Sequence, residues 1–236
     1  MTLHTLGLIG GITYHSTVNY YMGINNGVAA ACGGHNSAPL IISSLNFQQV
    51  RGFQMAEDWE GAADFLTHHG SLLRDAGAEA IVICANLMHR TAPRLEASLD
   101  IPVLHIVDAI SVVARERGLS SMGIMGTGWT MREPFYADRL QANGIRPVRA
   151  SDDDIAITDT IVFDELTQGI VREESRAQLL GVVDRLAEAG ADGVILGCTE
   201  IPMIISQADS DVPLIDSTQA HVAAAVNFVL SDVEKP

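Results

Sequence analysis

The chain contains one strand signal twice, as Gly77-Ala78-Glu79-Ala80-Ile81-Val82-Ile83 and as Gly190-Ala191-Asp192-Gly193-Val194-Ile195-Leu196. A short apolar run after a glycine turn is typical of a buried strand in a parallel sheet. The second copy follows the first at an offset of 113 (190 − 77). Residues 6–10 similarly return at 122–126, and residues 101–104 return at 212–215. Buried parallel strands all look alike, but three matches in the same order favour two similar halves.

Apolar runs alternate with amphipathic stretches along most of the chain. Residues 6–9, 39–43 and 79–84 are predicted strands. Asp58 is placed to cap a helix that runs to Asp75, with Gly77 after its end. This rhythm predicts an α/β fold with two pseudo-symmetric domains, each a parallel sheet flanked by helices. Because ligands bind beyond the C-terminal ends of parallel strands, we expect the active site in the cleft between the two domains.

Composition narrows the classes of function. The 236 residues contain 14 Lys and Arg against 29 Asp and Glu, a net charge of −15 without a basic stripe, so nucleic acid is not an expected partner. No apolar run is long enough to span a membrane and no signal peptide is visible, so a cytoplasmic location is expected. The three cysteines have no pairing pattern and are expected to be reduced thiols. No metal-ligand spacing and no phosphate or dinucleotide loop occurs, so neither a metal nor a cofactor is expected.

Cys198 is the clearest candidate for chemistry. It follows a predicted strand in the run Gly197-Cys198-Thr199-Glu200. Backbone N–H groups at such a strand end are expected to lower the pKa of the thiol and to supply thiolate. A buried structural cysteine is the alternative. The position beside a threonine and a glutamate favours a functional thiol.

Five parts of the sequence carry a resemblance to a known family. They are residues 7–12 with 16–17, Asn86 with 88–89, 126–127 with 130–131, 163–166, and 197–200. Together they resemble the aspartate/glutamate racemase family, and most closely its branch specific for L-aspartate and L-glutamate. The Gly-Cys-Thr-Glu run is the most specific of the five.

The resemblance implies a pyridoxal-independent isomerase that needs no cofactor and acts on an amino acid or a related carboxylate. It implies one domain formed by residues 1–99 with 212–236, a second formed by 100–211, and a homodimer as the expected assembly. It also implies two cysteines that face the substrate α-carbon from opposite sides. One thiolate removes the α-proton and the opposite thiol returns one.

This sequence departs from the two-cysteine pattern. The family's first cysteine precedes an asparagine, and the residue before Asn86 here is Ala85. The internal repeat agrees, since 198 − 113 is 85. Because side chains alternate along a strand, Cys84 is predicted to be a core thiol that points away from the direction of Ala85. Cys198 is therefore predicted to be the principal acid and base, and Ala85 a vacated catalytic position.

Two further departures concern the substrate. Leu87 stands where the family usually has threonine, and Ile157 where related sequences carry a lysine that holds a side-chain carboxylate. With a net charge of −15, both departures predict weaker binding of aspartate or glutamate.

Seven polar residues near predicted strand ends are assigned to substrate binding, by resemblance and by position. They are Asn86, Thr127, Thr130, Thr199, Glu200, Thr13 and Ser16. Glu200 is also expected to orient Cys198 or to take up its proton. The hydroxyl residues have helix capping as an alternative role. His89, three residues after Asn86, is either a second proton carrier or a hydrogen-bonded structural histidine.

Three functions stay open at this point. The leading one is a one-thiol amino-acid racemase. The second is a one-cysteine decarboxylase or isomerase of the same superfamily, which protonates one face of an enediolate. The third is a ligand-binding homologue that has lost the chemistry.

Overall fold

The computed structural model describes residues 2–233 and places two parallel, four-stranded sheets within them. The chain divides into two compact units. One is formed by the chain up to His105 together with the segment from His221, and the other by Ile106–Ala220. Each unit has its own sheet and its own hydrophobic core.

The first unit alternates strands and helices. Its strands are β1 (Leu6–Gly10), β2 (Leu40–Ser44), β3 (Ala80–Ile83) and β4 (Val103–Leu104). Its helices are α1 (Tyr14–Cys32), α2 (Phe47–Met55), α3 (Trp59–Asp75) and α4 (Ala92–Ser98), with a 3₁₀ helix at Leu87–Thr91. The strand order is β2-β1-β3-β4 and every neighbouring pair is parallel.

The second unit repeats this arrangement. Its strands are β5 (Ser121–Gly126), β6 (Arg146–Val148), β7 (Gly193–Gly197) and β8 (Leu214–Asp216), in the order β6-β5-β7-β8. Its helices are α5 (Ile106–Glu116), α6 (Gly128–Arg132), α7 (Pro134–Ala142), α8 (Asp152–Asp164) and α9 (Glu173–Glu188). Short 3₁₀ helices occupy Leu166–Gln168, Ile201–Met203 and Gln207–Asp209. The helix α10 (Ser217–Val229) begins in this unit and continues into the first.

The internal repeat is visible in the strands. β3 begins at Ala80 and β7 at Gly193, which reproduces the predicted offset of 113 (193 − 80). β4 begins at Val103 and β8 at Leu214, an offset of 111 (214 − 103), again as predicted. The matching strands hold the same place in the two sheets. The predicted α/β class with two similar parallel sheets is confirmed.

The points where the chain passes from one unit to the other lie later than the sequence-based boundaries. The chain crosses after His105 and after Ala220, whereas crossings at 99/100 and 211/212 were predicted. The edge strands explain the difference. β4 pairs with β3, and β8 pairs with β7, so each belongs to the sheet that precedes it in the chain. Nothing local in residues 101–104 or 212–215 indicates which sheet they join.

The helix α3 shows how the sequence sets an element. The Asp58 carboxylate accepts the Gly61 N–H at 2.9 Å and so caps the N-terminus. Gly77, two residues after the end of the helix, has φ +101°, a left-handed conformation that favours glycine. The predicted inner face is buried, and consists of Ala62, Ala63, Leu66 and Leu73.

Gly11 lies where the loops that follow the neighbouring strands β1 and β2 come into close contact. Its φ is +79°, and a Cβ placed on it would lie 2.1 Å from the carbonyl oxygen of Leu45. The Leu45 N–H donates to the carbonyl of Gly10 at 3.0 Å. Glycine at position 11 therefore allows the loops after β1 and β2 to touch at the sheet edge where ligands bind in such folds.

Candidate active site

The strand ends of the second unit bring several predicted residues together. β5 and β7 are neighbours, and their last paired residues are Gly126 and Gly197. Thr127 and Cys198 are therefore the next residues on adjacent strands, which lie about 5 Å apart. The side chain of Thr130 packs beside this pair, since a Cβ on Gly126 would lie 3.4 Å from the Cβ of Thr130.

Cys198 forms a compact group with the two residues that follow it. Its side chain is buried, and Sγ donates to Oε2 of Glu200 at 2.9 Å. The hydroxyl of Thr199 donates to the same oxygen at 2.7 Å. One carboxylate oxygen thus accepts two hydrogen bonds, which fixes the Glu200 side chain beside the sulfur.

The pKa of the Cys198 thiol is raised well above its ordinary value, so the expectation of a lowered pKa is wrong. Burial is the largest cause, and the negative charge and hydrogen bond of Glu200 add to it. The backbone N–H groups of Glu200 and Ile201 do favour the thiolate, as expected from the strand end, but their effect is smaller. The resting side chain is a protonated thiol with a proton acceptor in contact.

The loop between β5 and α6 and the start of α6 carry Thr127 and Thr130, two of the threonines assigned to substrate binding. Thr127 precedes α6, and its Oγ1 lies 3.1 Å from Oγ1 of the buried Thr130. Asp159 on α8 holds this loop, because its carboxylate accepts the Gly128 N–H at 2.6 Å. Sequence reasoning missed Asp159. It lies 31 residues from Gly128 along the chain, and no local pattern signals the contact.

The end of β3 carries Ala85, the position that the sequence predicts to be a vacated catalytic position. Ala85 is half-buried, and its carbonyl oxygen accepts a hydrogen bond from Nδ1 of His89 at 2.8 Å. Asn86 is buried, and its carbonyl accepts the backbone N–H of His89. Cys84 packs in the core with Leu8 and Tyr20, whereas Ala85 packs against the other hydrophobic cluster of this unit. The prediction of Cys84 as a core thiol is confirmed, and burial raises the pKa of that thiol.

Thr13 and Ser16 have structural hydrogen bonds in the first unit. Oγ1 of Thr13 accepts the Ser16 N–H at 3.4 Å and caps α1. Oγ of Ser16 donates to the carbonyl of Cys84 at 2.8 Å. The capping alternative is therefore realised for Thr13, and Ser16 ties the start of α1 to the end of β3. Their assignment to substrate binding stays a prediction.

Three buried histidines gather in the first unit around the end of β3. The His89 ring lies 4.7 Å from that of His105 and 5.2 Å from that of His221, measured between centroids. The Tyr20 hydroxyl lies 2.8 Å from Nδ1 of His221, whose Nε2 lies 2.7 Å from the carbonyl oxygen of Leu104. Burial, and the proximity of His105, hold the pKa of His89 well below its ordinary value. A neutral, enclosed ring favours the structural alternative for His89.

Metal-binding clusters and membrane-spanning helices are both absent from residues 2–233. No set of three or more His, Cys, Asp or Glu side chains there is arranged to hold a metal ion. In the same part of the chain, no helix combines the length and the apolar character needed to cross a membrane.

Comparison with known proteins shows the family of this chain. The family model described as Asp/Glu/Hydantoin racemase matches residues 9–225. A glutamate racemase from Deinococcus radiodurans is 28% identical over 166 residues, which cover 66% of this chain and 54% of the relative. The chain spans between 54% and 65% of the length of the first three glutamate racemases that it matches.

Solved structures with a similar fold cover nearly the whole chain. A candidate Asp/Glu racemase from Yersinia pestis is 39% identical with a TM-score of 0.93, over 97% of this chain and 100% of the other. An aspartate racemase homologue from Pyrococcus horikoshii OT3 is 31% identical with a TM-score of 0.85, over 96% and 99%. Arylmalonate decarboxylase, at 16% identity and a TM-score of 0.54 over 95% and 92%, shares the fold.

Proposed function

Because this chain belongs to the Asp/Glu/Hydantoin racemase family, we propose that it is a cofactor-independent amino-acid racemase that uses Cys198 as its principal acid and base. The observation that carries the proposal is the hydrogen bond from Sγ of Cys198 to Glu200 at 2.9 Å. It supplies a thiol at a strand end together with a group that can take its proton. The three cysteines are free thiols, which suits the proposed cytoplasmic location.

The proposed reaction begins with transfer of the Sγ proton of Cys198 to the Glu200 carboxylate. The thiolate then removes the α-proton of the substrate. The S–H bond forms as the Cα–H bond breaks, and the electron pair moves into the α-carboxylate to give an enediolate. Donors are needed where this charge develops, and the proposed donors are Asn86, Thr127, Thr130 and Thr199.

The second half of the reaction has to return a proton to the opposite face of the α-carbon. The methyl group of Ala85 carries no exchangeable proton, so we propose water as the donor on that face. Water gives a proton to the carbanion, and the α-proton held by Cys198 passes through solvent to the resulting hydroxide. Glu200 then returns its proton to Sγ of Cys198, which restores the starting state. The atoms balance, and the α-carbon is inverted. A donor drawn from solvent predicts slow inversion relative to exchange at the Cys198 face.

The proposed substrate is an α-amino acid. Relatives are described as glutamate racemases and as an aspartate racemase homologue, so both dicarboxylates belong in the test panel. In this chain Ile157 is a half-buried apolar side chain packed against the core of the second unit, and Leu87 is likewise apolar. Neither provides a charge for a second carboxylate, so a neutral amino acid is the better proposed substrate.

Exchange of the α-proton with solvent deuterium tests the proposal. The protein should label aspartate, glutamate or a neutral amino acid at Cα, as followed by NMR or mass spectrometry. Cys198→Ala should lower the exchange rate by about 10²- to 10⁴-fold without changing the circular dichroism. Cys32→Ala is the matched control, since Cys32 is a free, half-buried thiol with no assigned role. Retention of more than about a tenth of the parent rate by Cys198→Ala would remove Cys198 from the mechanism.

A decarboxylase is the second candidate, and the raised pKa of Cys198 specifically favours it. A protonated thiol is suited to donate a proton, and one donor is enough when a single face is protonated. The C–C bond of a substituted malonate would break, carbon dioxide would leave, and the enediolate would take the Sγ proton. The Cys198 thiolate would then regain a proton from solvent water. Carbon dioxide release without α-proton exchange would select this function. Binding of a carboxylate with neither reaction would select a binding protein.

A further inference from the structure

The first part of the chain lacks charge to an unusual degree. Residues 1–50 contain no Asp, Glu, Lys or Arg, although the whole sequence has 43 such residues in 236 (14 + 29). An even distribution would place about nine of them in the first fifty (43 × 50/236). The 19-residue helix α1 lies inside this uncharged segment. Soluble helices normally carry charges on the solvent side, so the exposed face of α1 needs an explanation.

The two faces of α1 differ in what covers them. The inner face is already packed, and its buried residues are Ser16, Thr17, Tyr20, Ile24 and Val28. Gly23 and Gly27 approach Val222 and Val226 of α10 so closely that a Cβ on either would lie within 3 Å of them. Within residues 2–233 these core contacts of α1 are thus made by its inner face.

The outer face carries an exposed apolar stripe, which we call the α1 surface. It consists of Tyr14, Val18, Tyr21 and Met22, with exposed fractions of 65%, 54%, 47% and 50%. The spacing of four, seven and eight residues from Tyr14 places them on one side of the helix. Large apolar side chains grouped on one uncharged face are typical of a protein contact, and tyrosine is enriched in such contacts.

We propose that the α1 surface is the contact face of a symmetric dimer, occupied by the α1 surface of a second copy of this chain. The net charge of the chain favours a second copy as the partner at this surface. Two copies of net charge −15 repel each other wherever their acidic surfaces meet, and an uncharged face is where they approach at the lowest electrostatic cost. A basic partner, by contrast, would be drawn to the acidic remainder of the surface.

The four side chains of the α1 surface supply about half of the area that a standard dimer contact buries. A covered tyrosine removes about 150–250 Å² from water, so the four partly exposed side chains offer roughly 400–500 Å² per copy. A standard interface buries about 800 Å² per partner. The exposed side chains of His15, Asn19 and Asn26 lie beside the stripe and extend the same face. A two-fold axis through this face would pair the stripe with itself and leave no repeating contact for larger assemblies.

The proposal gives a surface to the homodimer expected for this chain and does not depend on the racemase chemistry. The test uses three variants of the full chain. Val18→Asp puts a charge in the stripe and changes the net charge to −16 (−15 − 1). Val18→Lys puts a charge at the same place but changes the net charge to −14 (−15 + 1). Val112→Asp is the matched control, because Val112 is a 45% exposed valine on α5 in the other unit.

Sedimentation velocity over a wide concentration range should show a dimer for the parent and for Val112→Asp. Both Val18 variants should raise the dissociation constant by about thirtyfold or more, as loss of an interface centre does. Equal weakening by Asp and Lys shows that position matters and not net charge. Melting temperatures near that of the parent show that the variants are folded, and α-proton exchange on the same samples reports catalysis separately.

A parent that stays monomeric at every concentration would overturn the proposal. So would a dimer that survives both Val18 variants, or one that Val112→Asp weakens as much as Val18→Asp does.

Discussion

Replacing Glu200 with glutamine removes the negative charge beside Cys198 while it keeps the length of the side chain. In the parent protein the Glu200 carboxylate accepts hydrogen bonds from Sγ of Cys198 at 2.9 Å and from the hydroxyl of Thr199 at 2.7 Å. The pKa of Cys198 is raised by burial first and by the charge and hydrogen bond of Glu200 next. Glu200→Gln should therefore lower the pKa of Cys198 while burial still holds it above the ordinary value.

Both expected effects follow from this contact. Loss of the adjacent negative charge lowers the pKa of Cys198, so the thiol should react with alkylating agents at a lower pH in the variant. Catalysis should change in the opposite direction. The amide cannot take the Sγ proton, and the loss of a positioned base lowers the rate about 10²- to 10⁴-fold. Glu200→Gln should therefore make the Cys198 thiol more reactive towards alkylating agents and the protein less active.

Alkylation by iodoacetamide over a range of pH, read out by mass spectrometry, follows each cysteine separately. Cys32 serves as the internal reference, since its profile should be the same in parent and variant. Glu174→Gln is the matched control, because it removes one negative charge from the exposed first turn of α9. The rate of α-proton exchange is measured on the same three proteins. An unchanged or higher alkylation midpoint for Cys198, or an exchange rate above about a tenth of the parent, would refute the role of Glu200.

Three further predictions concern other parts of the chain. Ala85→Cys should raise the rate of racemisation and make the rates in the two directions more nearly equal, because a thiol held at this position replaces water as the proton donor. Optical rotation with aspartate, glutamate and a neutral amino acid measures both rates. No gain with any of the three substrates would mean that Ala85 is not a vacated catalytic position. Lowering the pH below about 6.5, the ordinary pKa of histidine, should destabilise the parent. The reason is that the pKa of His89 is depressed in the folded state. The contribution of His89 to the free energy of unfolding is fully present above that pH and is lost as the pH falls towards the folded-state pKa. The difference in urea midpoint between parent and His89→Asn should shrink as the pH falls, and a difference independent of pH would contradict this account. Gly11→Ala should lower the free energy of unfolding by more than about 3 kcal/mol, because a Cβ would lie 2.1 Å from the carbonyl oxygen of Leu45. Gly144 has a similar positive φ, but a Cβ there would meet nothing within 4 Å, so Gly144→Ala should cost about 1–2 kcal/mol. Equal losses for the two alanine variants in urea titrations would show that the close approach to Leu45 is not what matters at Gly11.

The sequence by itself determined the α/β class, the repeat and the strand ends. These depend on short apolar runs and on the glycines and capping residues that flank them, as at Asp58 and Gly77 around α3. Such signals act over a few residues and are readable without the fold. The assignment of Ala85 as the counterpart of Cys198 has the same origin, since the starts of β3 and β7 keep the offset of 113 (193 − 80). The core position of Cys84 followed from alternation along one strand.

The tertiary structure alone decided the sheet that each edge strand joins, the support of the Gly128 loop by Asp159, and the gathering of His89, His105 and His221. Each depends on residues that lie far apart in the chain. The thiol is the clearest case. The strand end does offer backbone N–H groups that favour the thiolate of Cys198, as its position in the sequence indicates. Removal of the sulfur from water and the orientation of the Glu200 carboxylate outweigh them. Desolvation is a sum over all the atoms packed around a group, and only the folded chain determines which atoms those are.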